Sequence, residues 1–384
     1  MRIGVNALSV VPRETGGGET YLRELLEALA DLPRAAAHDI AVVCSANAAA
    51  LFPERGPVRR VVVPLDNRAR LRRLRFEHLQ LDTLLRRERV DVLFAPGNAL
   101  PWRLSVPAVL GVQSLHSFVV PEEMSKARVA YFRRAVPRSA RRATRILCVS
   151  EDLRRLLLRV VSDLDPSHVR VVHEGAPADV ARVTDTARVA DACRARGVEP
   201  GRFVLFVSSL NPFKRPERAV EALAWWRGRS GETWPLLLVG RASEVHTQRV
   251  RAAAAACGYA ESTLVAGTAS RGELAALLSG ARVMVYPSTV ETFGLPPLEA
   301  MACGCPVVAA DRTSIPEIVG DAALLVDPDD VPAFGAALGR ALHDEALRAA
   351  LVTRGTARLA QFRWDAAADA TLALLEEAAA TRRG

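Results

Sequence analysis

Apolar residues along this chain fall into short continuous runs, separated by longer segments in which they recur every three or four positions. The first habit predicts strands buried on both faces, the second amphipathic helices. In the first half, strands are predicted at Arg2–Leu8, Ile40–Ser45, Val58–Pro64, Val90–Pro96, Ala108–Ser114, Arg145–Ser150 and Val169–His173. Thr20–Asp31 and Leu71–Arg89 read as helices between them. In the second half, strands are predicted at Phe203–Ser208, Leu236–Gly240, Thr263–Ala266, Val283–Tyr286, Val307–Ala310 and Ala323–Val326.

Alternation of strand and helix, run through twice, predicts an α/β protein of two Rossmann-like, doubly wound parallel-sheet domains. The change-over is expected around Gly175–Gly201, where a strand gives way to Gly175-Ala-Pro177 and an Arg- and Ala-rich polar helix. Residues 1–178 are assigned to a first domain and 179–363 to a second. The Ala- and Leu-rich helix from Trp364 to the end has no following strand, so it is expected to pack back on the first domain. No repeat of 20–50 residues and no low-complexity tract appears. Doubly wound sheets bind ligands at the carboxyl ends of their strands. Two such sheets facing a cleft would place the chemistry in loops just after strands.

Composition narrows the class. With 384 residues, 50% hydrophobic and 24% charged, the chain can bury large cores and is not a disordered or disulfide-stapled protein. No run approaches the ~20 apolar residues of a membrane span, and the first residues read as a strand, not a signal peptide. A cytoplasmic location is expected. The six cysteines sit in apolar stretches and read as reduced and buried; Cys303-Gly-Cys305 lacks a second ligand pair for zinc. The net charge is +8, yet only Lys126 and Lys214 of the 51 basic residues are lysines. That bias weakens any reading of arginine runs as a nucleic-acid footprint and makes a retained lysine informative.

The strongest chemical signal is Tyr286-Pro-Ser-Thr-Val-Glu-Thr-Phe-Gly-Leu-Pro-Pro-Leu-Glu-Ala-Met-Ala-Cys-Gly-Cys-Pro306. A strand ends near Tyr286, a loop follows, and Pro296 or Pro297 sits at a helix start. Glu291 then lies at the loop entrance and Glu299 in the first helical turn. The amides of Phe293, Gly294 and Leu295 would point out of a helix N-terminus, an anion site. Two acids beside an anion site suit a ligand with both phosphate and a sugar diol. On the residues alone, a capping-box role for Glu299 and a solvated loop charge at Glu291 fit equally well.

This stretch closely resembles the Glu-x7-Glu signature of the family 4 glycosyltransferases, which have the GT-B architecture and transfer sugars with retention of anomeric configuration. The resemblance implies that Glu291 sits beside the donor sugar and Glu299 holds the ribose hydroxyls of the nucleotide. It implies that the Phe293–Leu295 amides meet the sugar and the diphosphate. A second stretch, Phe203-Val-Leu-Phe-Val-Ser-Ser-Leu-Asn-Pro-Phe-Lys-Arg-Pro216, resembles the family segment whose lysine meets the diphosphate, the place held here by Lys214. Many relatives put an arginine six residues before that lysine or beside it. Ser208 and Phe213 stand there instead, leaving Ser208 and Arg215 as donor-binding candidates.

Thr15-Gly-Gly-Gly-Glu-Thr-Tyr21 would let backbone amides approach a phosphate, and its spacing departs from a dinucleotide fingerprint. In the family the equivalent loop closes on the donor's phosphates, which nominates Gly17 and Gly18. Val112-Gln-Ser-Leu-His-Ser-Phe-Val-Val-Pro121 resembles a stretch where many relatives carry His-Asp near the transferred sugar or acceptor. Gln113 and Ser114 hold those places, with His116 three residues on; a surface-loop histidine is the plain alternative. Val171-Val-His-Glu-Gly175 resembles the family's end of the first domain, with His173 and Glu174 read as structural.

The pairs Asp163/Asp165 and Asp327/Asp329 read as turn residues. No cofactor or metal is expected, in keeping with the family. No ordering for nucleophilic hydrolysis stands out. The basic run Arg68–Arg89 is a candidate contact with anionic lipid at the inner membrane face; on the residues, a solvated basic face fits as well. It lacks interleaved aromatics for nucleic acid.

The expected activity is therefore transfer of a hexosyl or related group from a nucleotide-diphosphate sugar to a small-molecule, glycan or lipid-linked acceptor. Glu291, Lys214, Gln113 and His116 are the catalytic candidates. The rivals are a nucleotide-sugar 2-epimerase of the same fold and a non-catalytic nucleotide- or glycan-binding module.

Overall fold

A computed structural model describes residues 1–12 and 16–381. The chain divides into two units: Met1–Gly175 together with the chain from Phe362 onward, and Ala176–Gln361.

In the first unit, β1 (Arg2–Asn6), β2 (Asp39–Ser45), β3 (Val58–Val63), β4 (Val92–Ala95), β5 (Ala108–Val112), β6 (Arg145–Cys148) and β7 (Val169–Val171) form one parallel sheet. Its order is β3-β2-β1-β4-β5-β6-β7. The central strands β4 and β5 are buried along their whole length, which is why they read as unbroken apolar runs. The helix Gly17–Asp31 buries Tyr21, Leu22, Leu25, Leu26 and Leu29 as one stripe. The helix Trp364–Ala380 packs on it and beside β4, β5 and β6, burying Leu372, Leu374 and Leu375. Ion pairs from Arg34 to Asp369 and from Arg145 to Glu377 hold its outer face.

The single helix expected over Leu71–Arg89 is instead two, Arg70–Leu79 and Leu81–Arg87, parted at Gln80. The two segments have different burial requirements. The second buries Leu81 and Leu85 in the core, whereas the first buries only His78 and leaves Leu71 at 83% exposure among its arginines.

In the second unit, β8 (Val204–Val207), β9 (Leu236–Val239), β10 (Thr263–Val265), β11 (Val283–Tyr286), β12 (Val307–Ala310) and β13 (Leu324–Val326) are again all parallel, in the order β10-β9-β8-β11-β12-β13. The core joins Phe206, Leu236, Leu238, Val283 and Val285 of the sheet to Phe334 and Leu338 of the helix Val331–His343. Gly335 and Gly339 let that helix approach the helix Pro216–Ser230 closely. A Cβ on either would lie within 2.4 Å of the Trp225 or Trp226 ring. Cys44, Cys148, Cys193, Cys303 and Cys305 are free and buried, whereas Cys257 is only half-buried.

Candidate active site

In the second unit, strand order reverses between β8 and β11, the switch point at whose carboxyl ends doubly wound sheets bind their ligands. The loop after β8 makes a 3-10 turn at Pro212–Lys214, then passes through Arg215 in the left-handed region (φ 53°) into the helix Pro216–Ser230. The loop after β11 is tied to it. The Thr289 amide and hydroxyl donate to the Phe213 carbonyl at 2.9 and 3.0 Å.

That tie brings the sequence's retained lysine to its first signature acid. Lys214 Nζ donates to Glu291 Oε1 at 2.6 Å, with side chains only 14% and 9% exposed. The ammonium also stands 5.1 Å from the Phe213 ring centre, a cation–π distance. The Glu291 amide donates to Thr313 Oγ1 at 3.1 Å, from a threonine with φ 52°. Ser314 Oγ donates to the Phe293 carbonyl at 2.9 Å, fixing the loop further on. The Tyr286 hydroxyl donates to the same Glu291 oxygen. Sequence reading missed Tyr286, because a tyrosine ending an apolar strand looks like core.

Gly294, with φ 112°, caps the helix Leu295–Ala302 without any side-chain hydrogen bond. Pro296 and Pro297 have no N–H, so two of the four donors normally orphaned at a helix start are absent there. Since Leu295 is the first helical residue, Glu299 lies in the second turn, not the first. The place of a capping-box acid is held by Pro297, which removes that reading of Glu299.

Glu299 is 5% exposed, and Arg271 Nη1 donates to its Oε1 at 2.5 Å. Arg271 opens the helix Arg271–Gly280 behind a Ser270–Glu273 capping box, and its Nη2 donates to Asp179 at 2.6 Å. Burial raises the Glu299 carboxyl above its ordinary value, and the Arg271 guanidinium opposes that rise. Burial disfavours the Arg271 cation, but hydrogen bonds to Asp179 and Glu299 hold its value up. The capping box was legible in the sequence; the long-range pairing of one arginine among so many was not.

Arg215 is ion-paired to Asp329, which also lies near Arg218 and Arg312. Asp329 therefore stands beside a donor-site candidate, although sequence reading set it aside as a turn residue. Asp327 does make that turn, accepting the Asp329 amide at 2.9 Å. Asp163 pairs with Arg141.

The remaining candidates belong to the first unit. Gly17 and Gly18 form the first helical turn behind Gly16 (φ 63°), while Thr15 lies outside the described residues. Gln113 follows β5, and Asn98 Oδ1 accepts its amide at 2.7 Å. Its Nε2 is buried without a partner. Asn98 (φ 64°) was also missed, though a polar residue two places past a strand-ending proline is a turn signal. His116 begins the four-residue helix His116–Val119 rather than lying in an open loop. Among the described residues, no cluster of His, Cys, Asp and Glu is placed to hold a metal ion, and no helix is long and apolar enough to cross a membrane.

The structure thus gathers a lysine, two buried carboxylates and a helix N-terminus at the carboxyl edge of one sheet. Comparison with known proteins agrees with that grouping. Residues 194–358 match the Glycosyl transferases group 1 family model and residues 15–180 the Glycosyltransferase Family 4 model. The O-antigen chain mannosyltransferase B of Escherichia coli is 31% identical over 278 residues, 71% of this chain and 71% of that one. The D-inositol 3-phosphate glycosyltransferase of Acidothermus cellulolyticus is 36% identical over 57% of this chain and 50% of its own length. Among solved structures, Anabaena HepE in complex with UDP and glucose superposes with a TM-score of 0.71 at 19% identity, covering 100% of this chain and 99% of that one. The chain belongs to the family 4, group 1 glycosyltransferases and has their GT-B architecture.

Proposed function

We propose that the protein transfers a hexosyl or related group from a nucleotide-diphosphate sugar to an acceptor hydroxyl, with retention of anomeric configuration. The observation that carries this reading is the Lys214–Glu291 pair at 2.6 Å, at the carboxyl edge of β8 and β11. Without donor, the buried ammonium and carboxylate neutralise each other. A diphosphate at this edge offers Lys214 a second anion, and charge grows on that anion as the glycosidic bond breaks. Lys214 therefore binds the transition state more strongly than the ground state.

In this reading the bond from the anomeric carbon to the diphosphate oxygen breaks while the acceptor oxygen adds on the same face. The acceptor proton passes to the departing diphosphate, so no protein nucleophile is required. Glu291 accepts from a hydroxyl of the transferred sugar and Glu299 from the ribose diol. The Phe293–Leu295 amides face the sugar and diphosphate, with Ser208 and Arg215 flanking them. Gly17 and Gly18 are proposed for the donor phosphates, and Gln113 and His116 for the transferred sugar or the acceptor. Gln113 can hydrogen-bond there but cannot move a proton. Proton NMR of the first product formed tests the stereochemistry: its anomeric signal is expected to match the donor's configuration. An inverted first product would remove the retaining mechanism, and a C2 epimer formed without acceptor would favour the epimerase instead.

A further inference from the structure

The hydroxyl of Tyr286 has no part in the chemistry just described, yet it is buried against the first signature acid. Tyr286 ends β11 at 1% exposure and donates to Glu291 Oε1, the oxygen that also accepts from Lys214. The Ser208 side chain interacts with the same hydroxyl from the end of β8. One carboxylate oxygen thus takes both protein donors, the ammonium and the phenol.

We propose that Tyr286 is a positioning residue that keeps Glu291 aimed when Lys214 turns to the donor. The inference rests on the reading of Lys214 as the diphosphate's partner. Once the ammonium is shared with a diphosphate, its hold on Glu291 Oε1 weakens. A buried carboxylate left with no donor on that oxygen would rotate or draw in water. The tyrosine cannot follow the lysine, because its ring is fully buried and its hydroxyl is held between Glu291 and Ser208. Its own proton stays in place: burial, with Glu291 and Glu299 nearby, pushes the phenol well above its ordinary value. Tyr286 thus remains a donor throughout the working pH range.

The test compares wild type, Tyr286→Phe and Lys214→Ala. Each is assayed for nucleoside diphosphate release from UDP-glucose, GDP-mannose, dTDP-glucose and ADP-glucose, with UDP, GDP, dTDP and ADP binding read by calorimetry. Phenylalanine keeps the ring and removes only the hydroxyl. The proposal expects Tyr286→Phe to lower kcat about 10- to 100-fold while the nucleoside diphosphate Kd stays within about twofold. Unchanged kcat in Tyr286→Phe beside a crippled Lys214→Ala would overturn the proposal and leave the proposed function standing. Equal losses of kcat and nucleotide affinity would assign Tyr286 a purely structural role and also overturn it. Silence from wild type with every donor would sink the proposed function and the inference with it.

Discussion

Lys214→Ala is expected to lower nucleoside diphosphate release from the donor about 100-fold, mostly in kcat. A single cation-to-oxyanion hydrogen bond in a water-poor site is worth about 1.5–3 kcal/mol, and transition-state donors commonly account for ~10²-fold or more. Two features favour the upper part of that range here. The lysine is 14% exposed, so solvent screens it little, and Arg215, the next residue in the chain, is already paired to Asp329. The loss should be accompanied by a fall in Tm, since the buried Glu291 carboxyl would lose its hydrogen-bonded cationic partner. Steady-state release with wild type and variant on the same donor checks this. Turnover within a factor of two would remove Lys214 from the mechanism.

The second large effect concerns stability, in the first unit. Glu174 follows β7 and is 7% exposed, close enough to the buried Tyr21 hydroxyl to disfavour that phenol's ionisation. Burial pushes its carboxyl from 4.5 to about 8. Next to it, Gly175 leaves no room for relaxation: a Cβ there would lie 2.4 Å from the Trp364 ring. The folded chain therefore holds a proton on Glu174 that the unfolded chain has released. Between about pH 4.5 and 8 folding takes up that proton, so stability falls as pH rises, by roughly 1.4 kcal/mol per unit. Below that window the contribution is fully present, and above it the loss is complete. Glu174→Gln imitates the protonated acid and does not titrate. Its unfolding free energy should match wild type near pH 4.5 and exceed it by a few kcal/mol at pH 8.5. Denaturant melts of both proteins across that range check it, and parallel curves would show that Glu174 is not protonated in the fold.

Much of the architecture was legible because parallel strands covered on both faces leave an unmistakable mark, as in Val204–Val207 and Val283–Tyr286. The break at Gln80 was not, since both halves of Leu71–Arg89 keep helical spacing and differ only in what they pack against. At the site, Lys214 stood out because so few lysines remain in the chain, and Glu291 and Glu299 because their spacing is part of a motif. What escaped was the support behind them. Tyr286 and Ser208 meet only because β8 and β11 are neighbours, and Arg271 reaches both Glu299 and Asp179 from another helix. Such pairings depend on sheet order, which no local window of sequence contains. Asn98, by contrast, carried a turn signal that could have been weighed.

In the proposed function, the second unit binds and activates a nucleotide-diphosphate sugar through the carboxyl edge of β8 and β11. The most direct measurement is nucleoside diphosphate release from a panel of UDP-, GDP-, dTDP- and ADP-sugars without added acceptor, comparing wild type with Glu299→Ala. Slow release by wild type from one nucleotide class is expected, lost in the variant because the ribose diol has lost its carboxylate. Equal release by the variant, or neither release nor calorimetric binding of any donor by wild type, would contradict it.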